Sequence, residues 1–227
     1  MQGYHTAVFD LDGTLLNTLE DLADAANFAL LQMGWPTRSQ DEIRSFVGNG
    51  VELLIRRAAP HRVQEAEISR CLSVFKEHYA AHMADKTAPY PGILPLLRAL
   101  RQRGITLAVV SNKFDSAVKE LCAGCFPGLI QAAVGASDQA SKKPDPAMVV
   151  QALRALGTSP AGAVYIGDSD VDLQTARNAG LPCLSVTWGF RDAAFLRTHG
   201  AAVLVHRPEE LLSFFPLPGF TPEDSAL

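Results

Sequence analysis

Several things are scarce in this 227-residue chain, and each scarcity narrows what the protein can be. Positive charge comes first: 20 Lys and Arg against 24 Asp and Glu give a net charge of −4. That balance gives no support to nucleic-acid binding, which normally shows as a basic stripe or patch. An anionic ligand would need positive surroundings supplied locally, by a metal, a few lysines or helix N-termini. Long apolar runs are missing too, since the longest fall far short of the ~18 residues that span a bilayer. The N-terminus lacks the basic start, apolar stretch and small-residue cleavage site of a signal peptide. A cytoplasmic protein without membrane or nucleic-acid partners is expected. There are four cysteines, Cys71, Cys122, Cys125 and Cys183, too few and too scattered for a disulfide framework. Cys122 and Cys125 form a C-x-x-C late in a helical stretch, not at a helix start where the dipole would lower the thiol pKa, and they read as packing residues. No internal repeat or low-complexity segment occurs.

What is present is ordinary globular composition, 48% hydrophobic and 19% charged, and enough length for one sizeable core with a smaller appended unit. From residue 90 onward helical and strand-like patterns alternate. "ITLAVVSN", "IQAAVGA", "GAVYIGD", "PCLSVTW" and "AAVLV" read as strands. "ILPLLRALRQRG", "SAVKELCAGCF", "PAMVVQALRALG", "VDLQTARNAGL" and "DAAFLRTHG" read as helices. Near-continuous apolar strands alternating with amphipathic helices predict an α/β fold, a doubly wound, Rossmann-like parallel sheet covered on both faces. Residues 16–87 break the alternation. Leu19, Leu22, Ala23, Ala26, Leu30 and Met33 recur at helical spacing, three further helical segments follow, and nothing there reads as β-rich. The expected organisation is a discontinuous core, residues 1–15 and 88–227, with an inserted α-helical cap at 16–87. The end of the chain, residues 218–227, reads as a frayed tail.

In a doubly wound sheet, ligands bind at the carboxyl ends of the strands. The first strand, "TAVF", ends in Asp10 and Asp12, followed by Gly13 and Thr14. "ITLAVV" ends in Ser111, Asn112 and Lys113. Lys142, Lys143 and Pro144 follow "IQAAVGA", and "AVYIG" ends in Asp168, Ser169, Asp170 and Asp172. Carboxylates, a hydroxyl and lysines therefore converge on one edge. Taken singly, each acid would pass for a helix or turn cap. Together, Asp10 and Asp168 would make a hard oxygen site suited to a divalent cation such as Mg²⁺ with a substrate phosphate. Ser111 and a lysine could then hold the outer phosphate oxygens. One Asp could attack phosphorus while the other moved a proton.

"DLDGT" at Asp10–Thr14, "SNK" at Ser111–Lys113, "KKP" at Lys142–Pro144 and "GDSDVD" at Gly167–Asp172 resemble the four ordered motifs of the haloacid dehalogenase superfamily. The resemblance covers the whole chain except its tail, and the helical insertion after the first motif is similar to that superfamily's small α-helical cap. It implies that Asp10 is the nucleophile that becomes an aspartyl phosphate. Asp12 would be the general acid/base and lend its backbone carbonyl to Mg²⁺. Ser111 and Lys143 would hold the phosphoryl group, with Gly13, Thr14, Asn112 and Lys113 also on the phosphate side. Asp168 would complete the metal site, supported by Ser169 and Asp172. The dehalogenases themselves lack an acid at the position of Asp12, so its presence favours phosphate chemistry. "VGNG" at Val47–Gly50, "YPGI" at Tyr90–Ile93, Lys113 and "TWGFR" at Thr187–Arg191 further resemble phosphoglycolate phosphatases. There Gly48, Asn49 and Gly50 would read a small carboxylate through backbone N–H groups. The resemblance implies hydrolysis of a small phosphorylated metabolite, 2-phosphoglycolate before pyrophosphate, a nucleoside monophosphate or a sugar phosphate, by a monomer or homodimer.

Other readings fit less well. The Asp168-x-Asp170-x-Asp172 spacing imitates an EF-hand loop, but Leu173 and Ala179 stand where that loop needs Gly and Glu. His78 and His82 lie at i and i+4 without the glutamate of a metalloprotease motif. A dinucleotide site would place glycines, not two acids, at the first strand end. A phosphomutase would share the same core. A phosphorylatable signalling domain would be shorter and put its acid pair, not its acceptor, after strand one.

Overall fold

The computed structural model describes residues 3–137 and 141–215; the tail at 218–227 lies outside the described residues. Six strands build the main sheet: β1 (Thr6–Phe9), β4 (Thr106–Phe114), β5 (Ala132–Ala136), β6 (Ala163–Gly167), β7 (Cys183–Val186) and β8 (Val203–Val205). They lie in the order β5-β4-β1-β6-β7-β8, and every pairing is parallel. The α/β expectation holds. Strand β1 is central, and the chain builds outward on one side of it through β4 and β5 before returning to the other side at β6. Its carboxyl end is therefore the point where strand order reverses, the place where such sheets open a crevice.

Alternation along the strands explains the two-sided burial. Ala7, Phe9, Leu107, Val109, Val164 and Ile166 face one buried cluster; Val8, Ala108, Val110, Ala163 and Tyr165 face the other. The second face is covered by α7 (Ala147–Ala155), through Met148, Val149, Ala152 and Leu153, and by Ala176 of α8 (Asp170–Asn178). The first is covered by α5 (Ile93–Gln102) and α6 (Asp115–Cys125). The same cluster runs on into α1 (Leu19–Gln32) and α4 (Glu65–His82), burying Leu22, Ala26, Leu30, Phe75 and Tyr79.

Between α1 and α4 lie α2 (Gln40–Phe46), started by a Ser39–Glu42 capping box, and α3 (Val51–Ala58). Where the chain leaves and re-enters the sheet, β2 (Leu16–Asn17) and β3 (Ala88–Pro89) pair as an antiparallel ribbon. The sequence gives no sign of it, because a two-residue strand has no alternation to show. Helix α9 (Ala193–Thr198) and a 3₁₀ segment, Pro208–Phe214, complete the described chain.

Candidate active site

The two acids after β1 sit two residues apart and enter separate ion pairs. Asp10 Oδ1 accepts the Leu11 backbone N–H at 2.7 Å and faces Lys143 Nζ at 2.9 Å. Asp12 Oδ1 accepts the Thr18 hydroxyl at 2.7 Å and faces Lys113 Nζ at 2.9 Å, while Ser111 Oγ lies 3.5 Å from Oδ2. The turn after them uses Gly13 at φ 84°, where a Cβ would collide with the Asp168 carboxylate.

Lys143 Nζ also donates to Asp172 Oδ1 at 2.8 Å and to the Tyr165 hydroxyl at 3.1 Å. Asp172 is held in turn by the backbone N–H and hydroxyl of Ser169, at 3.1 and 2.6 Å, as the capping box that starts α8. Asp168 accepts the Thr14 hydroxyl at 3.0 Å and the Phe190 N–H at 2.7 Å. A Cβ on Gly189 would also strike it, so two glycines from distant parts of the chain shape its seat. Asn112 clasps the Lys143 backbone, accepting its N–H at 2.7 Å, and donates to Gly48 O at 3.1 Å, which ties the loop before α3 to the sheet.

Around these groups lies a cavity of about 40 Å³, room for a water or two. Asp10, Asp12, Ser111, Asn112, Lys113, Lys143, Asp168 and Ser169 line it from the sheet, and Leu22, Val47, Gly48, Gly50, Val51 and Leu54 from α1 and the α2–α3 segment. Gly13, Thr14 and Asp172 are not on its wall: Thr14 stands behind Asp168, and Asp172 behind Lys143. Asn49 turns away as well. Its Oδ1 accepts from Arg57 at 3.2 Å, and it lines a separate cleft of about 470 Å³ with Arg44, Asp170 and Asp192. The Lys113 ammonium is shared by Asp12 and the Tyr79 hydroxyl, 2.6 Å away.

Three supporting groups, Thr18, Tyr79 and Tyr165, escaped the sequence reading, and a fourth, Arg191, stood in the "TWGFR" match without a role. Tyr79 sits inside a helical pattern that showed only apolar spacing, and Thr18 stands just before one, at the N-cap position of α1. Tyr165 is the one hydroxyl-bearing residue in the run "AVYIG", a signal that could have been used. Arg191 donates to the carbonyls of Arg44, Ser45 and Val47, closing the end of α2. Elsewhere, His78 stacks on Phe28 at 3.9 Å and His82 Nδ1 meets Asp85 at 2.8 Å. Burial pushes the Cys122 thiol up to about 12 and raises Cys125, in keeping with packing and not with redox use.

Residues 7–186 match the haloacid dehalogenase-like hydrolase family. The chain belongs to that family. It is 34% identical over 189 residues to the phosphoglycolate phosphatase of Pseudomonas putida, covering 81% of this chain and 69% of that one. It is 37% identical over 205 residues to that of Caulobacter vibrioides, covering 88% and 86%. Among solved structures, a candidate phosphoglycolate phosphatase from Lactobacillus delbrueckii subsp. bulgaricus superposes with a TM-score of 0.88 at 39% identity, covering 92% of this chain and 97% of that one. Rhodobacter sphaeroides CbbY in complex with phosphate gives a TM-score of 0.74 at 29% identity, covering 93% and 99%.

The electrostatics of this hydrolase bear on whether its site suits a cation. Asp10, Asp168 and Asp172 each bring a carboxylate oxygen within 4.8 Å of the others, all buried. Burial, then the charge of Asp172, raises the Asp10 pKa well above the usual range, with Lys143 opposing. The same two causes push Asp168 up to about 7. Burial would lower the pKa of Lys143 and Lys113, but Asp10 and Asp172 beside the first, and Asp12 with Tyr79 beside the second, hold both above the usual lysine value. Three acids against one lysine leave an excess of negative charge, and hard carboxylate oxygens fit a divalent cation.

Proposed function

We propose that this hydrolase cleaves small phosphate monoesters in the cytoplasm, 2-phosphoglycolate foremost, through an aspartyl phosphate on Asp10 and with Mg²⁺ as cofactor. The observation that carries the reading is one small cavity walled by two aspartates, each held by its own buried lysine. The relatives named phosphoglycolate phosphatase support the substrate.

Asp10 uses Oδ1 for Leu11 and Lys143, which leaves Oδ2 to attack phosphorus. As the ester P–O bond breaks, Asp12 gives a proton to the departing oxygen. Asp12 then takes one from the water that hydrolyses the aspartyl phosphate, freeing Asp10 and inorganic phosphate. Ser111 and Lys143 hold the phosphoryl oxygens. Asp10, Asp168 and the Asp12 backbone carbonyl would hold Mg²⁺, which when bound supplies charge neutralisation at the phosphoryl group. Helices α1–α4, residues 16–87, act as the cap over a core of 1–15 and 88–227. Cap and core wall the cavity together, so lifting of the cap gives entry and release. The backbone around Gly48 and Gly50, both on the cavity wall, reads the small carboxylate.

Phosphate release from a panel of 2-phosphoglycolate, pyrophosphate, nucleoside monophosphates and sugar phosphates, with Mg²⁺, tests this. The expected result is a kcat/KM highest for 2-phosphoglycolate and turnover abolished in Asp10→Asn. A flat profile discards the substrate; activity retained in Asp10→Asn discards the mechanism.

A further inference from the structure

We infer that Tyr79 of α4 is a positioning residue for Asp12, acting through Lys113; the inference rests on the proposed phosphatase chemistry. Tyr79 is 1% exposed, and its hydroxyl oxygen accepts from Lys113 Nζ at 2.6 Å. Nζ also lies 4.6 Å above the Tyr79 ring, which itself stacks on Phe75 at 5.4 Å. The Lys113 side chain is 2% exposed, so its ammonium depends on protein acceptors for hydrogen bonds. Among the described residues it has two, the Tyr79 hydroxyl and Asp12 Oδ1, and one fixes its position relative to the other.

The consequence falls on Asp12. Lys113 and Thr18 both donate to Oδ1, so a proton carried by this carboxyl sits on Oδ2. Among the described residues Oδ2 has only the long 3.5 Å approach of Ser111, and Asp12 lines the cavity. The proton is thereby presented to the substrate and not to the protein. Tyr79 does this from a helix of the inserted block, while Lys113 and Asp12 stand on the sheet, so the step that consumes the Asp12 proton depends on α4 being seated.

A buried tyrosine could instead serve packing alone, and the choice of leaving group separates the two roles. The alkoxide of 2-phosphoglycolate departs with a proton from Asp12; the acetate of acetyl phosphate departs as an anion and needs none. Because kcat/KM reports events through the first phosphoryl transfer, it isolates that step from later hydrolysis. Tyr79→Phe keeps the ring and removes only the hydroxyl. It should lower kcat/KM for 2-phosphoglycolate roughly tenfold, a part of what a general acid contributes, while acetyl phosphate stays within about twofold. Tyr79→Leu, which likewise leaves Lys113 without its acceptor on α4, should show the same selectivity, and it carries the test if Tyr79→Phe does not fold. An equal fall for both substrates, or no fall for either, overturns the positioning role while the phosphatase reading stands. Turnover of both substrates that persists in Asp10→Asn overturns that reading and this inference with it.

Discussion

Asp10 and Asp12 are separated by one residue, yet their surroundings differ in a way that bears on how the site works. Each carboxylate meets a buried lysine at 2.9 Å, and each lysine touches a tyrosine hydroxyl, Tyr165 for Lys143 and Tyr79 for Lys113. Around Asp12 the charges balance one to one. Around Asp10, Lys143 also pairs with Asp172, and Asp168 brings a third carboxylate oxygen within 4.8 Å of the other two. One side is electrically closed; the other has unbalanced negative charge in a place where water cannot screen it. The tyrosines differ as well. Tyr165 belongs to a strand of the sheet, and Tyr79 to a helix of the inserted block. The closed side is suited to moving a proton, the open side to taking up a cation and a phosphoryl group.

Replacing the two lysines should give the largest contrast. Lys143→Met leaves two buried acids, Asp10 and Asp172, without their shared cation and should cost about 3–5 kcal/mol at pH 8 in chemical denaturation. Lys113→Met leaves one acid at the cavity wall and should cost clearly less. Equal losses would show that the asymmetry of charge has no energetic content. Next, a divalent cation should stabilise the metal-free protein through the Asp10 side alone. At a hundredfold excess over Kd the gain should be about 2.7 kcal/mol by thermal melting. That gain should vanish in Asp168→Asn and survive in Lys113→Met.

The pH dependence should follow the same division. With a folded pKa of about 7 against an ordinary 3.8, Asp168 makes the folded state hold more protons between those values. Stability of the metal-free protein should therefore fall as pH rises through that window and level off above it. Between pH 5.5 and 7.5 the loss should be on the order of 2 kcal/mol, reduced in Asp168→Asn and by saturating cation. A flat profile would mean that Asp168 is ionised in the folded protein throughout. The smallest effect belongs to the closed side. Thr18→Val removes one hydrogen bond to Asp12 Oδ1 and should cost about 1 kcal/mol, with no change in cation response.

Much of this was legible in the residues. The alternation of strands and helices after residue 90 gives the parallel sheet, because a strand buried on both faces has to be apolar throughout. The polar residues at the strand ends stand out against that apolar background, and Asp10, Asp12, Ser111, Lys143 and Asp168 do surround one cavity. The ribbon of Leu16–Asn17 and Ala88–Pro89 was not legible, because its strands are too short to carry a period. Nor was the direction of Asn49. Its place in a loop between two glycines follows from the sequence, but its turn toward Arg57 is set by a side chain eight residues on. Tyr79 was hidden for another reason. A helix face is read by its apolar spacing, and a hydroxyl that faces inward looks like one more packing residue.

The fold class and the strand ends that carry polar residues follow from local patterns of burial along the chain, which the sequence alone supplies. Only the tertiary structure decided the pairings: Lys113 with Asp12, Lys143 with Asp10 and Asp172, Thr14 behind Asp168. Ion pairs and hydrogen bonds form between groups brought within about 3 Å, and for residues 29 to 154 positions apart that distance is set by packing, which a linear pattern does not encode.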